Sequence, residues 1–121
     1  MMLFNFILPA MVAIMLAGGQ LLFKQSGMAI AGKPPAQALS ALIALPAFWC
    51  SLLLYGVATI LWIIVLSRAS LARAYVWVVL PVVLVPLLAA RIYHEELPAR
   101  FWLGLAVLLC GLIITQWPAA R

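Results

Sequence analysis

The sequence predicts an all-α integral membrane protein of four transmembrane helices, and three observations carry that expectation. The 121 residues are 69% hydrophobic and only 7% charged, whereas a soluble domain carries about 25% charged residues. Such a chain cannot cover a water-facing surface. A bilayer core about 30 Å thick needs roughly 20 apolar residues in a helix, and four segments meet that length: about 3–25, 42–66, 73–93 and 99–117. The stretches between them, "KPPAQ", "SRAS" and "HEELPAR", supply polar and turn-forming residues. A single four-helix membrane domain over 1–121 is expected.

The first helix admits two frames. Leu8-Pro9 suits a helix start, because proline fits the first turn and restricts the residue before it; the span would then reach about Ala29 and carry Lys24 in its second half. If it starts at Leu3, Lys24 lies at the far interface. Its apolar run is too long for a signal-peptide core, lacks a basic leader and precedes no A-x-A site, so a retained helix is expected. The second helix follows the breaker cluster "GKPPAQ", has Pro46 near its start and closes with "ILWIIVL". The third, "AYVWVVLPVVLVPLLAARIY", holds Pro81 and Pro86, each removing a backbone hydrogen bond, so a kink is expected. The fourth begins near Pro98 and ends at "ITQWP", with Trp117 at an interfacial position.

Gly104 and Gly111 are nearly two helical turns apart, so they share a face that lets a second backbone approach closely. Packing against the other three helices is the alternative. Four short helices enclose little alone, and a dimer with the fourth helix at its seam is expected.

Several classes are excluded. One His, two adjacent Glu and no Asp furnish neither a metal site nor a catalytic triad, so no metal, no cofactor and no enzyme are predicted. Cys50 and Cys110 lie in or near apolar spans and read as small buried hydrophobes. The net charge of +5 comes from basic residues scattered over helix ends, not from a basic stripe, so nucleic acid is not the partner. Arg68, Arg73 and Arg121 fall on one membrane face and Lys24, Lys33, Arg91 and Arg100 on the other. That balance gives the positive-inside rule little to act on, and orientation is weakly specified.

The order of "LAGGQLLFKQSG", "ATILWIIVLSRASLARAY", "IYHEELPARFWLG" and "GLAVLLCGLII" resembles the small multidrug resistance family and its relatives in the drug/metabolite transporter superfamily. Within that group the chain most resembles the small subunits of the undecaprenyl-phosphate-aminoarabinose flippase. The resemblance covers nearly the whole length and rests on the order and spacing of the motifs together. It implies a bacterial inner-membrane flippase subunit in a small multidrug resistance-like bundle, acting as a homodimer or heterodimer with a similar subunit. The implied substrate is a polyprenyl-phosphate-linked sugar, and the implied context is lipopolysaccharide modification and polymyxin resistance. The drug exporters place a glutamate in the first helix two turns before the lysine; here that position is Leu16. A membrane-buried carboxylate is what lets such an exporter exchange protons, so the familiar proton-coupled export is disfavoured.

The polar residues each carry two readings. Gln20 and Lys24 share a helix face with Leu16. Lys24 is either an anchor snorkelling to the interface or, with Gln20, part of a stripe facing a phosphate-bearing head group. Arg73 is either a topology marker or a phosphate ligand whose guanidinium fork matches two oxygens. Tyr75, which resembles a binding-site tyrosine of the exporters, and Trp77 belong either to that site or to an aromatic belt. In "RIYHEELPAR", Arg91 and the glutamates complement helix dipoles, with Arg91–Glu95 and Glu96–Arg100 as i,i+4 pairs if helical; otherwise Glu95 recognises a sugar amine or gates one face. The expected site is Gln20, Lys24, Arg73, Tyr75, Trp77 and Glu95, the first four lining one cavity. The rival functions are a small-molecule or drug exporter with different coupling, and a non-transporting membrane assembly partner.

Overall fold

Proline placement decides where most of the helices begin. The computed structural model describes residues 2–117; Arg121, counted above among the basic residues, lies outside them. Leu3–Ile7 wind as a π-helical turn, with the Leu8 N–H bonded to the Leu3 carbonyl. Helix α1 follows over Leu8–Ile30. Pro9 has no N–H to offer the Asn5 carbonyl, and the register widens just ahead of it. Helices α2 (Pro35–Ile43) and α3 (Pro46–Leu66) each open on a proline, where the missing donor costs no intrahelical bond. Helix α4 (Leu71–Ala74) passes through a 3-10 turn, Tyr75–Val78, into α5 (Val79–Tyr93), and α6 covers Ala99–Gln116. Among the described residues four stretches are long and apolar enough to cross a membrane: Leu3–Ile30, Pro46–Leu66, Leu71–Tyr93 and Ala99–Gln116. The expected all-α, four-span class is the observed one.

Three local features differ from the sequence reading. The first helix does not stop near residue 25 but carries Lys24 and Gln25 on to Ile30. Ser26 is buried inside it because its hydroxyl donates to the Leu22 carbonyl at 2.9 Å, so a polar residue there does not break the helix. The second span starts at Pro46 rather than 42, since Ile43 closes the separate helix α2. The Trp49 indole N–H holds the Ile43 carbonyl at 2.7 Å across this break. In the third span, α5 runs through Pro86. The departure from α geometry is the 3-10 turn before Pro81, which has no N–H for the Trp77 carbonyl.

Helix α1 is the hub, with α3 and α5 packed on it. The buried apolar residues are small: Val12, Ala13 and Ala17 in α1, Ala58 and Val65 in α3, Ala89 in α5. Small side chains let backbones approach, which is how helices associate where lipid is as apolar as leucine. The large apolar side chains point outward, Leu53, Ile60, Ile63, Leu103 and Ile114 among them. That is the distribution of a multi-pass membrane protein. Helix α6 buries no residue. Among the described residues no other element comes within 4 Å of where a β-carbon would stand at Gly104 or Gly111, so neither glycine serves packing between the described helices.

Candidate functional site

The stretch "GGQLLFKQSG" closes α1, and its glycines admit α3. A β-carbon at Gly19 would overlap the Tyr55 ring, whereas one at Gly18 would meet only Leu54 Cδ2 at 3.6 Å. With the ring seated on the backbone, the Gln20 side-chain amide donates to the Tyr55 hydroxyl at 2.6 Å. Phe23 completes the contact, its ring centroid 4.9 Å from that of Tyr55. An amide deep in a span gains a partner on a neighbouring helix, as polar groups in lipid require.

Helix α5 is fastened to the same stretch. The Tyr93 hydroxyl donates to the Leu21 carbonyl at 2.9 Å. His94 then turns the chain in the left-handed conformation, φ 55°, a region that histidine enters more readily than most non-glycine residues. The turn ends α5, and beyond it Glu95 reaches Lys24, with Nζ 2.6 Å from Oε1. Both side chains are about half exposed, 47% and 41%. Residues 94–98 are not helical, so the expected i,i+4 pairs are corrected: among the described residues the ion pair is Lys24–Glu95, made between the first span and the connection from α5 to α6. Arg91 does sit in the last turn of α5, but the first turn of α6 contains no acid.

A second polar cluster lies at the opposite ends of the same helices. A cavity of about 450 Å³ is lined by Phe4, Asn5 and Phe6 of the π-helical turn, Arg68 and Arg73 around the α3–α4 connection, and Trp77 and Gln116, among others. The Arg68 guanidinium lies 4.4 Å from the Phe4 ring centroid, and Arg73 Nε donates to the Ser70 hydroxyl at 3.1 Å. Trp77 meets Phe6 edge-on at 6.2 Å. Tyr75 is exposed and packs edge-on against Trp62 at 6.3 Å instead.

Within the single chain the six candidate residues therefore do not gather in one place. Gln20, Lys24 and Glu95 gather where α1 ends, and Arg73 and Trp77 gather where the first span begins. Asn5 and Lys24 are 19 residues apart, about 28 Å of helix at a rise of about 1.5 Å per residue. Within this chain the two groups stand apart because successive spans run in opposite directions, so Arg73, which opens the third span, stands level with residue 5 and not with residue 24. Tyr55 and Tyr93 were missed, since a tyrosine in an apolar run carries no sign of its partner. The one available signal was Gln20, an intramembrane amide that had to be satisfied by another helix.

These features define a small all-α membrane protein with four membrane-length helices and polar clusters at both ends of its central helix. The Salmonella newport (strain SL254) protein named probable 4-amino-4-deoxy-L-arabinose-phosphoundecaprenol flippase subunit ArnE is 32% identical over 108 residues, covering 89% of this chain and 93% of its own length. The chain belongs to that family of flippase subunits. Proteins of the same name from Salmonella paratyphi B and Salmonella typhimurium are 41% identical over 64 residues, covering 53% of this chain and 58% of theirs. No family model matches, and no solved structure matches.

Proposed function

We propose that the chain is a subunit of a bacterial inner-membrane flippase that moves an undecaprenyl-phosphate-linked aminosugar between leaflets, and that it carries out no catalysis. The observation that carries this reading is the Lys24–Glu95 ion pair. An aminosugar on a phosphate is zwitterionic, and the pair offers its complement, an ammonium on α1 and a carboxylate on the α5–α6 connection. Half exposure leaves both groups accessible, and a pair of that kind is worth only about 0–1 kcal/mol. The head group can therefore replace it, phosphate on Lys24 and sugar amine on Glu95, while the polyprenyl tail stays in lipid. Gln20, held by Tyr55, extends the polar path one turn deeper.

The active unit is a dimer or heterodimer, joined through the open glycine face of α6. A proton-coupled drug exporter fits less well, because both glutamates lie outside the spans. Deleting the chain tests the reading. Cells lacking it should accumulate the aminosugar lipid, lose the sugar from lipopolysaccharide and become polymyxin-sensitive, and re-expression should reverse all three. Unchanged lipopolysaccharide in the deletion strain would overturn it.

A further inference from the structure

The cavity at the start of the first span has a chemistry that the Lys24–Glu95 pair does not supply. Two guanidiniums line it, and among the described residues neither has a carboxylate within 4.0 Å. Arg68 is held in the wall by the Phe4 ring, and the Arg73 bond to Ser70 uses Nε, which leaves its two terminal nitrogens for a ligand. Asn5 and Gln116 add neutral amides. Two positive forks beside amides match a phosphate, whose several oxygens take paired N–H donors.

Size and walls identify what carries the phosphate. At about 30 Å³ per water the cavity would hold on the order of 15 waters, far more room than an inorganic ion fills. Phe4 and Trp77 also line it, an aromatic wall suited to an apolar prenyl chain. The π-helical turn that supplies Phe4 and Asn5 is a geometry frequent at functional sites.

We propose that this cavity is a second phosphate-docking site for a prenyl phosphate, at the membrane face opposite the Lys24–Glu95 pair. It rests on the flippase reading for its role: one pocket would hold the lipid phosphate at one leaflet and the ion pair the whole zwitterion at the other. A prenyl phosphate without a sugar has no amine to engage Glu95, so it selects the arginine site.

Calorimetric titration of the purified chain in detergent tests this, with farnesyl phosphate, farnesol and inorganic phosphate as probes. Farnesyl phosphate should bind saturably, at least 100-fold tighter than either of the other two. Arg68→Gln and Arg73→Gln should each weaken it at least tenfold, Arg73→Lys should fall between, and Lys33→Gln, an exposed position outside both polar clusters, should stay within twofold of the parent. No binding by the parent, parental affinity in both arginine-to-Gln variants, or an equal loss in Lys33→Gln would overturn the site. Inorganic phosphate binding as tightly as farnesyl phosphate would overturn its assignment to a lipid. Arginine-dependent binding without aminosugar transport in vesicles would sink the flippase reading alone; transport without such binding would sink only this cavity.

Discussion

Tyr55 rests against α1 at Gly19 so closely that any β-carbon at residue 19 would run into its ring. This contact sets the spacing of the first and second spans and delivers the tyrosine hydroxyl to Gln20. Gly19→Ala should therefore destabilise the fold by about 1–3 kcal/mol, the usual cost of overpacking. Gly18→Ala, one residue earlier, should be neutral or stabilising by up to about 1 kcal/mol, because alanine favours a helix over glycine and its β-carbon meets Leu54 at an ordinary distance. Thermal unfolding in detergent separates the two variants.

Gln20→Leu and Tyr55→Phe each remove one partner of the amide–hydroxyl bond. Interhelical hydrogen bonds in membranes average about 0.6 kcal/mol, so abundance and melting temperature should barely move. Transport of the aminosugar lipid should fall in Gln20→Leu, because the polar path loses its deepest group. Parental transport in that variant, measured at parental abundance, would leave the amide a packing role only.

Much of this architecture could be read from the residues, and the failures have definite causes. Hydropathy marks the four spans because an apolar stretch of that length has no other comfortable environment. It does not mark α2, whose "LSALIAL" blends into the apolar run ahead of Pro46; the proline was the available sign of a new helix. Local rules assigned Glu95 to Arg91 and Glu96 to Arg100. They assumed helical geometry where His94 turns the chain out of α5, and only the fold brings residue 95 to residue 24. Charge and spacing picked out Lys24, Gln20, Arg73 and Trp77 as polar or aromatic groups at span ends. What spacing along the chain does not encode is which ends are level across antiparallel helices.

Lys24→Gln and Glu95→Gln give the ion pair its direct test. With both groups half exposed, each should change stability by less than about 1 kcal/mol, while transport should fall at least tenfold. The double variant Lys24→Glu with Glu95→Lys would keep the pair and reverse its polarity. If the pair were only a clasp between α1 and the α5–α6 connection, the swap would restore transport to parental level. No restoration is expected, since the lipid tail fixes where the phosphate must lie.

Gly104→Leu and Gly111→Leu add bulk where, among the described residues, no other element comes within 4 Å. Folding of the single chain should be unaffected. Crosslinking in membranes should show a clear loss of dimer in at least one variant, because close backbone approach at the α6 seam is blocked. Unchanged crosslinking in both would move the seam to another helix.

The sugar amine itself offers the most direct test of transport. In sealed vesicles from cells that make the aminosugar lipid, with or without the chain, a membrane-impermeant amine-reactive reagent labels only lipid in the outer leaflet. With the chain present, lipid loaded on the inner leaflet should become labelled over time, and Lys24→Gln and Glu95→Gln at equal abundance should slow this at least tenfold. The same labelling rate with and without the chain would contradict its role in moving the lipid.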